Sequence, residues 1–83
     1  MMFFGYEKDS DRLLKLEEVS LQCNLDELEE VINFLKTVKI EHASVMDKTD
    51  MCHSHFRDWK VGWNNCDPDF IIVSQFNKNS DAT

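Results

Sequence analysis

Apolar residues recur at helical spacing through "NLDELEEVINFLKTVKIEH", where Leu25, Leu28, Ile32, Leu35 and Val38 form one stripe with Val31 beside it. Asn24 stands where an N-cap belongs, and Glu27 three residues on supplies the second half of a capping box. Asp26, Glu27, Glu29 and Glu30 place negative charge near the positive end of the helix dipole. The pattern predicts a helix from Asn24 to about His42 that packs its stripe on a sheet. His42, at the far end, is expected to be a favourable C-terminal cation or a solvated side chain.

The segments around this helix have the period of strands. "MMFFGYE" is short, apolar and aromatic, and "KDSDR" follows it as a polar turn. From Leu13 to Cys23 the chain is strand-like again, with Val19, Leu21 and Cys23 alternating against Glu18, Ser20 and Gln22. The two segments suggest a hairpin. After the polar connection "SVMDKTD", "DPDFIIVSQF" gives a proline-marked turn and an apolar run too short and too β-branched for a helix, so residues 69 to 76 read as a strand.

"CHSHFRDW", residues 52 to 59, fits two periods. As a strand it sets His53, His55, Arg57 and Trp59 on one face and Ser54, Phe56 and Asp58 on the other. As a helix it lines up Cys52, Phe56, Trp59 and Trp63. The strand is preferred because a hairpin with residues 69 to 76 completes a β-β-α-β-β order, leaving "KVGWNNCDP" as an exposed loop that holds Trp63. The expected fold is α+β, a small antiparallel β-sheet packed against one long α-helix. It forms a single domain over residues 1–76, with 77–83 as a flexible C-terminal tail.

Composition narrows the function classes. Sixteen Asp and Glu against nine Lys and Arg give a net charge of −7, which opposes nucleic-acid binding and favours encounters with basic proteins. There is no apolar signal segment and no run of membrane-spanning length, so no membrane association is expected. Three cysteines, Cys23, Cys52 and Cys66, cannot all pair within one chain, and reduced thiols in a cytoplasm are the expectation.

The candidate chemistry concentrates in residues 52 to 63. His-x-His on a strand aims two imidazoles to one side, as a metal site requires. The strand reading, however, places the Arg57 guanidinium on that face and turns Cys52 and Asp58 away, so neither a metal nor another cofactor is expected. Catalysis has little more support: the sequence has no glycine-rich phosphate loop and no nucleophile elbow, and a chain of 83 residues has little volume for a substrate pocket. Recognition fits better. Arg and Trp are the commonest interface anchors, and His53, His55, Arg57, Asp58, Trp59 and Trp63 offer them beside two imidazoles and a carboxylate. Phe56 is the expected core residue of the segment and Trp63 the expected exposed one.

An acidic chain with "HSHFRDW", a following tryptophan and an aspartate leading into "DFIIV" resembles family thirty-two of the immunity proteins from bacterial polymorphic toxin systems. The resemblance covers the hairpin "LLKLEEVSLQC", the helix from Asn24, the run His53, His55, Phe56 and Asp58, and the last strand preceded by Asp69. It implies a small cytoplasmic, non-enzymatic protein that binds and neutralises a cognate toxin. Many such toxins are nucleases with basic clefts, toward which an acidic inhibitor would be steered. Homodimerisation through the aromatic face is a further expectation for partners. The competing class is a small metal-binding or hydrolytic protein that uses the His-x-His pair.

Overall fold

The long helix starts where its capping box places it. Asn24 Oδ1 accepts from the Glu27 backbone N–H at 2.8 Å, and the Glu27 carboxylate accepts from the Asn24 N–H at 2.9 Å. Each group satisfies a donor that the first helical turn leaves unpaired. The computed structural model describes residues 1–76, so the expected tail at 77–83 lies outside the described residues. In chain order the elements are β1 (Phe3–Tyr6), β2 (Leu13–Leu16), α1 (Leu25–Val45), β3 (Met51–His55), α2 (Phe56–Trp59) and β4 (Ile71–Gln75). The α+β class and the order of strands about one long helix are therefore as expected.

The single expected sheet is instead two separate antiparallel pairs, β1 with β2 and β3 with β4. In the first, Phe3 stands opposite Leu16 and Tyr6 opposite Leu13. All four residues of β1 are used by that register, so the alternation from Val19 to Cys23 has no strand to pair with, and residues 17–24 run on without regular structure. In the second pair His53 stands opposite Val73, and Ser54 opposite Ile72. β3 and β4 pack one face toward α1, while the β1–β2 hairpin makes no extensive contact with either.

The helix buries Val38 of the expected stripe, but with it the neighbouring face and not the leucines. Phe34, Val38 and His42, at spacings of four, are 1%, 4% and 5% exposed. Leu25, Leu28, Ile32 and Leu35 remain 82%, 39%, 38% and 38% exposed. Phe34 is the centre of the core: Phe56, Trp59 and Phe70 place their ring centroids 5.2, 5.7 and 6.0 Å from its own. These distances and tilts are in the range aromatic pairs favour.

His42, in the last turn of α1, is buried and not solvated. Its Nδ1 lies 2.6 Å from Ser74 Oγ on β4 and its Nε2 3.0 Å from Ser54 Oγ on β3. A neutral imidazole can donate through one nitrogen and accept through the other, and hydroxyls can take either role. One side chain thus ties α1 to both strands and leaves no buried polar atom unpaired, which removes the penalty for burying it.

Candidate functional site

The segment "CHSHFRDW" uses both of its periods in turn. It is a strand through His55, then a single helical turn from Phe56 to Trp59. The turn places Phe56 and Trp59 on one side, where both reach Phe34 and stack on each other at 5.7 Å. Arg57 and Asp58 are left on the outside, with side chains 49% and 72% exposed. Arg57 therefore does not share a strand face with the histidines.

Asp69, fourteen residues beyond His55, holds this strand-to-helix corner. Its Oδ2 accepts from His55 Nδ1 at 2.6 Å, and its Oδ1 accepts from the backbone N–H groups of Arg57 at 3.0 Å and Phe70 at 2.8 Å. An ionised carboxylate can only accept, so His55 must carry its proton on Nδ1. Burial pushes the Asp69 carboxyl upward. The hydrogen bond from His55, the two backbone donors and the His55 charge outweigh it, and the group titrates below its ordinary 3.8. Arg57 Nε lies 3.9 Å from Asp69 and 3.7 Å from Asp58. At the far end of the turn, Lys60 Nζ donates to both carboxylate oxygens of Glu30 at 3.0 Å, which fastens the corner to α1.

The six expected site residues divide by environment. His53 is exposed, and its ring centroid is 5.5 Å from that of His55, which is partly buried against Asp69. Arg57 and Asp58 face solvent. Trp59 belongs in part to the aromatic core. Trp63 is half-buried, and its Nε1–H donates to the Pro68 carbonyl at 3.3 Å across the loop of residues 60–68. Gly62 makes the first turn of that loop with φ at +82°, a conformation that suits glycine. Cys52 is half-buried and Cys23 and Cys66 are exposed, all three as free thiols.

An open cleft of about 300 Å³ lies between α1 and the β3–α2 corner. Trp59 gives it aromatic surface, with the buried Phe34 behind it, Glu41 from α1 and Asp58 from α2 contribute carboxylates, and His53 and His55 line it from the strand. Among the described residues no three His, Cys, Asp or Glu side chains converge as a metal site would need. No described helix is long and apolar enough to cross a membrane. No family model, curated protein or solved structure matches the chain.

Proposed function

We propose that the chain is a non-enzymatic immunity protein that binds and neutralises a cognate bacterial toxin, with the cleft beside the β3–α2 corner at the centre of its binding surface. The observation that carries this reading is the chemistry of the cleft: aromatic surface from Trp59, carboxylates from Glu41 and Asp58, and imidazoles at its edge. An arginine or lysine of a partner would find a π-face and two anions there. The net charge of −7 would steer a basic partner toward it. Asp69 and Lys60 hold the corner in place before binding, which lowers the ordering cost of association. Such a partner fits a toxin with a basic cleft, a nuclease among them, and the neutralising protein would act inside the cell that makes it.

The test is the affinity of the folded protein for the toxin encoded beside it, together with rescue of growth on co-expression. Glu41→Gln with Asp58→Asn, both at the cleft's edge, is expected to weaken binding by roughly a hundredfold and to reduce its salt dependence. Unchanged affinity in the double variant would remove the cleft from the interface, and failure to rescue growth would remove the toxin reading.

One observation favours the competing class. Asp69 accepts the hydrogen bond from His55 Nδ1–H, which leaves Nε2 as the atom a metal would use, the usual carboxylate–histidine arrangement behind a metal ligand. Metal analysis of untagged protein separates the two readings, because stoichiometric zinc that is lost in His53→Ala would replace the toxin reading with a metal-binding one.

A further inference from the structure

We infer that the protein forms a homodimer in which β4 pairs antiparallel with β4 of a second copy, about a two-fold axis at Val73. The inference does not depend on the toxin reading, since no residue of β4 lines the cleft.

The pairing of β3 with β4 leaves the far edge of β4 open. Phe56 N–H donates to the Phe70 carbonyl and Phe76 N–H to the Asp50 carbonyl, so the hydrogen-bonded pairs of this register are the even-numbered ones, Ser54 with Ile72 and Cys52 with Ser74. The N–H and C=O groups of Ile71, Val73 and Gln75 therefore point away from β3, and none of them meets a partner among the described residues. The β3 edge is less accessible. Thr49 Oγ1 engages both the N–H and the C=O of Met51, and α1 and α2 make their extensive contacts with β3 and not with β4. Edge strands are ordinarily protected by a lysine, a proline or a bulge. "IIVSQ" has no charge and no proline, and its register with β3 is unbroken.

Sequence symmetry and charge select a second copy as the occupant. An antiparallel pairing of β4 with itself that uses the open groups of Ile71, Val73 and Gln75 sets Val73 opposite Val73 and Ile71 opposite Gln75. Phe70 and Phe76 stand three residues to either side of Val73, so the same register sets Phe70 of each copy opposite Phe76 of the other. Both fall at non-hydrogen-bonded positions, where side chains come closest and aromatic pairs are favourable. Phe70 is 36% exposed and has surface left to give. The strand thus complements its own reverse. Residues 70–77 are also the longest stretch of the chain without Asp, Glu, Lys or Arg. Two copies that each carry −7 meet there with least repulsion, whereas a basic partner finds no anion on this edge. The product is one four-stranded sheet with α1 of both copies on the same face, because Ser54 and Ser74 turn toward His42. A lone two-stranded pair is marginal in water, and the added strands stabilise it.

Sedimentation equilibrium of the full chain tests this, at hundreds of micromolar because a five-residue edge is at the small end of stable interfaces. The expected mass is twice 9.8 kDa. Val73 is 55% exposed, so Val73→Lys and Val73→Glu should each keep the circular dichroism of the parent. Each alone should weaken the dimer by roughly tenfold or more, since like charges then face each other across the axis. An equimolar mixture of the two variants should regain the double mass, because Lys then faces Glu. A single-chain mass for the parent at every concentration would overturn the inference. A dimer indifferent to both variants would overturn it too, as would a mixture that stays at the single-chain mass. Toxin binding read separately through the Glu41 and Asp58 variants distinguishes the two proposals: a monomer that still neutralises its toxin defeats only this one.

Discussion

Phe34→Ala is expected to cost about 3–5 kcal/mol, which for a domain this small is comparable to its entire stability. The substitution removes the one large side chain that is fully buried among the described residues, at 1% exposure. Three rings would lose their common neighbour: Phe56 and Trp59 from α2, and Phe70 just ahead of β4. These rings sit on segments that cannot close into the space together, because Asp69 and Lys60 hold the corner from outside. The cavity should therefore persist rather than collapse, which puts the cost in the upper part of the range. Phe34→Leu keeps most of the volume and should cost about 1–2 kcal/mol. Urea unfolding followed by circular dichroism checks both. A Phe34→Ala variant within 1 kcal/mol of the parent would mean that the aromatic cluster is not the core. Because Trp59 also lines the cleft, the same substitution should weaken partner binding even where the variant stays folded.

The parts of the fold that were legible in the sequence are those decided by near neighbours. Asn24 and Glu27 specify the helix start within one turn, and the structure forms both of their bonds. "IIVSQ" is strand by composition and is β4. The helix runs three residues beyond the expected His42, to Val45. Phe56, the expected core residue of "CHSHFRDW", is half-buried with its ring on Phe34, and Trp59 shares that position because the strand period does not run through the whole segment. Its strand ends at His55, where Asp69 captures the Arg57 N–H and turns the chain.

The apolar stripe of α1 was legible only in part. Val38 of that stripe is buried, but the face that packs is fixed by where β3, α2 and β4 lie, which puts Phe34 and His42 inward beside it and leaves Leu25, Leu28, Ile32 and Leu35 more than a third exposed. Nothing local to His42 signals that two serines, twelve and thirty-two residues away, will meet its ring. The same holds for Asp69, whose partner His55 is distant in sequence and whose role appears only when β3 and β4 pair. An aspartate just before a strand, ahead of an apolar run, is the one trace of it in the sequence.

Replacing Asp69 separates its charge from its geometry. Asp69→Ala leaves His55 Nδ1–H and the N–H groups of Arg57 and Phe70 without their acceptor, and is expected to cost about 2–4 kcal/mol. Asp69→Asn can keep Oδ1 on the two backbone donors and present its NH₂ to His55. It is expected to cost only about 1 kcal/mol, provided His55 moves its proton to Nε2 and accepts through Nδ1. Nitrogen chemical shifts of the His55 ring would show that tautomer change directly, and an Asn variant with the Nδ1–H form intact would contradict the bond. The parent protein should also lose stability in acid through this carboxylate. Its folded value lies below 3.8, so its contribution is present in full above the unfolded value of about 3.9 and disappears as the pH falls through the folded one. Unfolding free energies measured from pH 6 downward should fall less steeply in Asp69→Asn than in the parent below about pH 5. Equal slopes would mean that Asp69 carries no differential charge stabilisation and that the corner is held by packing alone.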